Sequence, residues 1–337
     1  MSLIVDPLRR SLLGAAAATA AAPAVGLAEP LVADPGPTRS LAPLRRIRAG
    51  DLEIAYAQLG PPQGPPVILL HGWPYDIHAF DDVAALLAAE GYRVIAPFLR
   101  GFGATRFVSP DTARNGQPAA VALDTIALMD ALEIKSAILG GFDWGARSAD
   151  IIAALWPQRC RGLVAVSGYL IGGQAAGAKP LAPDAELQWW YQFYFATERG
   201  RAGYEANRGA FARLIWRLAS PRWAFDDATF ARSAAALDNP DHVAVVVHNY
   251  RWRLGLAQGE ARYAAIEQRL ASGPTIGVPT VTLEGDANGA PHPDPAVYAA
   301  KFTGRYVHRL IDGGVGHNLP QEAPRAFAQA VIDVERL

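Results

Sequence analysis

Sulfur is scarce in this chain: its 337 residues include one cysteine, Cys160, and two methionines. A lone cysteine excludes an intramolecular disulfide and a thiolate metal site. Charge is thin as well, with Asp, Glu, Lys and Arg at 19% and a formal net charge of −1. No basic stripe forms, so no nucleic-acid partner is expected. The seven histidines are scattered and lack H-E-x-x-H spacing. No metal is therefore expected, and His292, in Pro-His-Pro, reads as a loop residue. What is present is length: one large core with an insertion, or two ordinary domains. No internal repeat is visible.

The first 28 residues read as an address. Arg9-Arg10-Ser11-Leu12-Leu13-Gly14 resembles the twin-arginine motif, and an Ala-rich run follows to about Val25. Gly26-Leu27-Ala28 supplies small residues before a candidate cleavage point at Glu29. The run is too short and too poor in large apolar side chains for a spanning helix, so no stable membrane anchoring is expected. Twin-arginine export moves folded proteins, which implies a periplasmic or extracellular location. Residues 29–44 are proline-rich and read as a linker.

From residue 45 onward, short apolar runs alternate with helical patterns. Leu52–Leu59 alternates like a strand; Val67–Leu70 is wholly apolar, as in a strand buried on both faces. Arg93–Pro97, Leu163–Val166, Val281–Leu283 and Tyr306–Ile311 add strands, and helices are expected near 120–132 and 320–336. This alternation predicts an α/β core, a mainly parallel sheet flanked by helices, over 45–167 and 278–337. Residues 168–277 break it, being rich in aromatics and arginine at helical spacing, and read as an inserted helical cap.

The centre of the core is Ser136-Ala-Ile-Leu-Gly-Gly-Phe-Asp-Trp-Gly-Ala-Arg147. It predicts a strand, a tight turn at Gly141-Phe142-Asp143-Trp144-Gly145, and a helix from about Ala146 to Trp156. The turn is a Gly-x-nucleophile-x-Gly elbow with aspartate in the central place. Its small flanking residues permit a strained central backbone at a close strand-to-helix crossing, at a helix N-terminus that favours negative charge.

These residues, with His71-Gly72-Trp73-Pro74, Arg100-Gly101-Phe102-Gly103 and Gly316-His317-Asn318 running to Pro324, resemble the α/β-hydrolase superfamily. Within it they are similar to the branch of epoxide hydrolases and haloalkane or haloacetate dehalogenases. The motifs occur in the family's order over residues 45–335; Phe142 replaces the histidine common before the aspartate. The resemblance implies an α/β-hydrolase fold with a helical cap and a cofactor-independent reaction through a covalent ester of Asp143. His317 would activate water against that ester. The backbone N–H groups of Trp73 and Trp144 would hold the oxyanion.

Epoxide hydrolases of this type carry two cap tyrosines that donate to the epoxide oxygen. Tyr250, in His248-Asn-Tyr-Arg251, matches the second; Tyr191 matches the first, with Tyr194 as rival. The resemblance places the triad acid at Asn288, with Asp286 the nearest carboxylate, whereas many dehalogenases use the end of the preceding strand, Ser167 here. An Asn can orient the histidine but cannot stabilise imidazolium by charge. The expected function is epoxide hydrolysis to vicinal diols on a small apolar epoxide. A dehalogenase acting on an organohalide is the alternative, kept open by Trp144 and by Trp189 or Trp190. Trp144 replaces the arginine that haloacetate enzymes carry after the aspartate, although Arg147 matches their second arginine. An alternative of another class is a non-catalytic ligand-binding protein.

Overall fold

The computed structural model describes residues 41 and 43–337; the twin-arginine stretch, the cleavage point and most of the linker lie outside the described residues. Among the described residues nine strands form one sheet: β1 Arg45–Ala49, β2 Leu52–Leu59, β3 Pro66–Leu70, β4 Arg93–Pro97, β5 Arg106–Phe107, β6 Ala137–Gly141, β7 Cys160–Val166, β8 Thr280–Gly285 and β9 Tyr306–Ile311. Their order is β1-β2-β4-β3-β6-β7-β8-β9, with β5 on β2. β2 pairs antiparallel with β1, β4 and β5, and β4, β3, β6, β7, β8 and β9 run parallel to one another. β1 carries Arg45, Arg46 and Arg48, so it reads as polar in sequence; it forms an edge, where charge guards against further pairing.

The centre of the sheet is dry. Val67 to Leu70 of β3 and Ala137 to Leu139 of β6 are fully buried, because helices cover both faces. The helices α1 Asp81–Ala89, α2 Pro118–Ala131 and α3 Trp144–Leu155 follow β3, β5 and β6. Neighbouring β6 residues show the two faces. Gly140 abuts Phe327 of the last helix, Pro324–Val334, whereas Gly141 abuts the start of α3. That last helix is separated from a turn at Leu319–Glu322. Pro324 pushes Ala323 out of helical geometry, to φ −137 and ψ 60, which splits the single helix expected there.

Between β7 and β8 the chain is helical, with Trp190–Phe195, Glu198–Ala219 and His242–Arg253 nearest the sheet's carboxyl ends. Their aromatics pack on Trp73. Its ring centroid lies 5.1 Å from Tyr191, 5.7 Å from Phe195, 6.2 Å from Tyr204, 6.1 Å from Phe211 and 5.2 Å from Tyr250. Such pairs contribute roughly 0.5–1.5 kcal/mol each beyond area burial, so Trp73 is a main bond between core and insertion.

Candidate active site

Asp143 ends the turn after β6 at φ 53 and ψ −123, a left-handed conformation that a side-chain-bearing residue adopts at a cost of about 1–3 kcal/mol. Two glycines make the turn possible. A Cβ on Gly145 would fall 1.8 Å from the Leu70 carbonyl oxygen, so only glycine lets α3 start this close to β3. A Cβ on Gly72 would fall 2.3 Å from the Cβ of Asp143. The helix accordingly begins at Trp144 rather than at Ala146.

β3 and β6 pair with Leu70 opposite Gly141, which sets the His71-Gly-Trp-Pro turn beside the elbow. His71 fixes that turn. Its Nδ1–H donates to Gly72 O at 3.1 Å, and its Nε2 accepts the Leu99 N–H at 3.1 Å. Burial lowers its pKa to about 4, so it stays neutral in this role. The turn then delivers the Trp73 N–H to Asp143 Oδ1 at 2.8 Å. Burial alone would raise the Asp143 pKa, but the His317 ring, Arg147 and the Trp144 N–H outweigh it and hold the carboxyl below its ordinary value. Asp143 is a carboxylate at neutral pH.

His317 Nε2 stands 3.7 Å from Asp143 Oδ2. Its backbone is held by Ser220, whose Oγ accepts the His317 N–H at 3.0 Å and donates to Glu322 at 2.7 Å. Glu322 also accepts the N–H groups of Gly316, at 2.7 Å, and Asn318, at 3.1 Å. On the far side of the ring, Nδ1 is buried without a hydrogen-bond partner.

Neither acid candidate is hydrogen-bonded to that nitrogen, which corrects the expectation for both. Asn288 Nδ2 donates to Glu284 at 2.7 Å and to Ser167 at 3.3 Å, and its Oδ1 accepts the Ala290 N–H. It bridges the ends of β7 and β8. Asp286 accepts the N–H groups of Gly313, Gly314 and Val315, pinning the turn after β9. His292 is an exposed loop residue bonded to Ala290 O.

Tyr191 lines the pocket, and Tyr250 packs against it. Their rings meet edge to face at 5.3 Å, and both phenols are pushed above their ordinary pKa, first by burial and also by the Asp143 charge. The rival Tyr194 instead packs against Phe211 at 5.7 Å and Trp190 at 6.0 Å. Trp189 and Trp190 line a cavity of about 50 Å³ together with Trp73, Asp143, Tyr191 and His317. Among the described residues, no cluster of three or more His, Cys, Asp or Glu could hold a metal ion. No helix among them is long and apolar enough to cross a membrane.

A buried relay escaped the sequence analysis. Trp73 Nε1–H donates to Tyr204 Oη at 2.8 Å, the Tyr204 hydroxyl meets His242 Nε2 at 2.8 Å, and His242 Nδ1 meets Gly101 O at 2.9 Å. A carbonyl can only accept, so Nδ1 carries the proton and Nε2 accepts from Tyr204. Burial, which lowers the His242 pKa to about 3, keeps this tautomer neutral. No local pattern announces the relay, since its first members are 131 residues apart and its next are 38. Ser220 escaped for the same reason. Glu322 did lie inside a recognised motif, at fixed spacing from His317.

The elbow, the His71-Gly-Trp-Pro turn and the histidine loop thus converge at the carboxyl ends of parallel strands, under a helical layer. The family model described as alpha/beta hydrolase fold matches residues 65–210. A candidate epoxide hydrolase of known crystal structure from Klebsiella pneumoniae is 65% identical, with a TM-score of 0.87, over 87% of this chain and 97% of that one. The chain belongs to the α/β-hydrolase family, in its epoxide hydrolase-like branch. Among curated members, Epoxide hydrolase B of Mycobacterium tuberculosis is 33% identical over 41% of this chain and 42% of its own length. An epoxide hydrolase of Caballeronia sordidicola is 38% identical over 39% of each. The chain thus spans about two fifths of the length of these curated relatives. A Pseudomonas aeruginosa structure at 23% identity and TM-score 0.73 shares the α/β-hydrolase fold over 88% of this chain and 97% of that one.

Proposed function

We propose that the protein hydrolyses small epoxides to vicinal diols through an ester of Asp143. The observation that carries this reading is the pair of protonated phenols, Tyr191 and Tyr250, beside an ionised carboxylate. Oδ1 already accepts the Trp73 N–H, which leaves Oδ2 as the attacking atom. As Oδ2 bonds to the ring carbon, that carbon's bond to oxygen breaks, and the departing oxygen takes a proton from a phenol. Water next attacks Cγ of the ester and gives a proton to His317 Nε2. Negative charge then develops on Oδ1, where the N–H groups of Trp73 and Trp144 stabilise it. On collapse His317 returns its proton to Oδ2, releasing the diol that carries Oδ2; the water oxygen stays in Asp143, and the second water proton restores the phenol. One turnover with excess enzyme in 18O-labelled water therefore gives unlabelled diol and a labelled Asp143 peptide. Label in the diol of that first turnover would overturn the ester.

A second reading, dehalogenation, is favoured by one observation: Trp144 Nε1 is buried beside the nucleophile with only the Tyr250 hydroxyl in reach, a donor suited to a halide. Halide release from an alkyl bromide, set against diol release from styrene oxide, ranks the two.

A further inference from the structure

A second, larger cavity of about 490 Å³ opens beside the site. Its lining holds three cations, Arg147, Arg253 and Lys179, against one carboxylate, Glu186, which is itself engaged with the Leu181 N–H at 2.7 Å. Arg147 lies one turn of α3 beyond Asp143 and spends Nε on Leu170 O, at 3.0 Å. Arg253, the last residue of the helix His242–Arg253, stands over the ring of Trp189 at 4.9 Å and that of Tyr250 at 5.8 Å. Trp189 lines both cavities, so the two adjoin at its side chain. Leu181 and Phe193, both half exposed, give the larger cavity an apolar rim.

The two guanidiniums repel one another. Arg147 is pushed down to about 10, by burial first and by Arg253 next, with only Asp143 and the two phenols opposing. Both residues are part-buried, and like charges withdrawn from water are costly unless an anion joins them. Asp143 ceases to be that anion once it is esterified, so a negative group on the bound molecule itself would compensate Arg147 at that stage.

We propose that this cavity is a carboxylate subsite, and that the natural substrate carries a carboxylate on the same molecule as its epoxide. This rests on the epoxide reading for the reacting group, but the cation pair and its cavity stand apart from it. Arg253 and Arg147 would take the carboxylate by charge-assisted hydrogen bonds, and the apolar rim would cover the hydrocarbon between the two groups.

The test needs no turnover. Calorimetric titration of the whole protein with 3-phenylpropionate and with its neutral amide is expected to show the carboxylate binding at least about tenfold more tightly, with the advantage shrinking as salt rises. Equal affinities would overturn the proposal, as would inorganic phosphate displacing the carboxylate at equal concentration. Arg253→Met is expected to abolish the preference, and Arg253→Lys to restore part of it; a preference unchanged in Arg253→Met would overturn the assignment. Kinetically, the ratio of kcat/KM for a carboxylated styrene oxide to that for styrene oxide is expected to fall at least about tenfold in Arg253→Met, mainly through KM. If the epoxide reading fails, neither epoxide gives diol while the carboxylate-over-amide preference persists, so the two failures are distinguishable.

Discussion

The ring of Tyr191 meets that of Tyr250 edge to face, 5.3 Å apart at 84°, and the charge of Asp143 acts on both. The two come from different helices of the insertion, Trp190–Phe195 and His242–Arg253, and both rest on Trp73. One packing contact thus aligns the proposed acid with the turn that carries the proposed oxyanion donor. Closing the insertion on the core assembles both halves of the reaction together.

Tyr250→Phe is expected to slow epoxide opening roughly 10²-fold, the lower end for a general acid, because Tyr191 remains. Tyr191→Phe combined with Tyr250→Phe removes both donors and should abolish opening. Bromide release from an alkyl bromide, which needs no phenolic proton, should change only a few-fold. Equal losses on the two substrates would reduce Tyr250 to a packing residue.

The alkylation step should be flat in pH between about 5 and 9. Asp143 has a depressed pKa, so it remains charged, and its pairing remains stabilising, above the ordinary aspartate value of about 3.9. That stabilisation is lost only as pH falls through the lower, folded value. Both phenols are raised above the ordinary value of about 10, so they keep their protons across the same window. Stopped-flow tryptophan fluorescence under single-turnover conditions reads this step. A midpoint near pH 6 would mean that burial, not His317 and Arg147, governs Asp143.

Tyr204→Phe should cost stability before chemistry. The change strands the Trp73 indole N–H and His242 Nε2 in a buried site, at about 1–3 kcal/mol for each unsatisfied group. A lowered Tm is the first readout. Ester hydrolysis should fall with it, by less than the 10²–10³-fold expected for loss of a whole oxyanion donor, because the Trp73 backbone is displaced and not removed. Unchanged Tm and unchanged turnover would disconnect the relay from the Trp73 turn.

Much of this was legible from local pattern. The alternation of Leu52–Leu59 and the apolar run at Val67–Leu70 mark β2 and β3 to within a residue, because burial on one or two faces writes directly into periodicity. The elbow was legible because its glycines, Gly141 and Gly145, are demanded by close contacts with the start of α3 and with the Leu70 carbonyl. Contacts between distant segments left no such trace. Tyr204, His242 and Ser220 look like ordinary helix residues, and only the closed fold shows what they touch. The acid position misled for a related reason. Spacing placed Asn288 correctly at the end of β8, but its side chain is taken by Glu284 and Ser167.

Export through the twin-arginine route remains a proposal from Arg9-Arg10 and the Ala-rich run that follows. Changing both arginines to lysine should retain active protein in the cytoplasm of a twin-arginine-competent host, measured by cell fractionation. Unchanged export would remove the motif from consideration.

The unpartnered Nδ1 of His317 sets the last prediction. As water attacks the ester, His317 becomes imidazolium with no carboxylate hydrogen-bonded to it. In a serine protease, replacing the matching aspartate by asparagine costs about 10⁴ in rate, part of it through the wrong tautomer. Alkylation uses neither His317 nitrogen for proton transfer, so it should run at full rate while hydrolysis lags. The ester should therefore be the dominant species during turnover, seen by intact-protein mass spectrometry as a gain of the substrate's mass on Asp143. His317→Gln should make that species permanent. Asn288→Asp should not hasten its decay, since residue 288 faces Glu284; two carboxylates there should instead lower Tm. A steady state dominated by unmodified protein, or an ester that decays faster in Asn288→Asp, would show that a carboxylate at or near position 288 does reach His317.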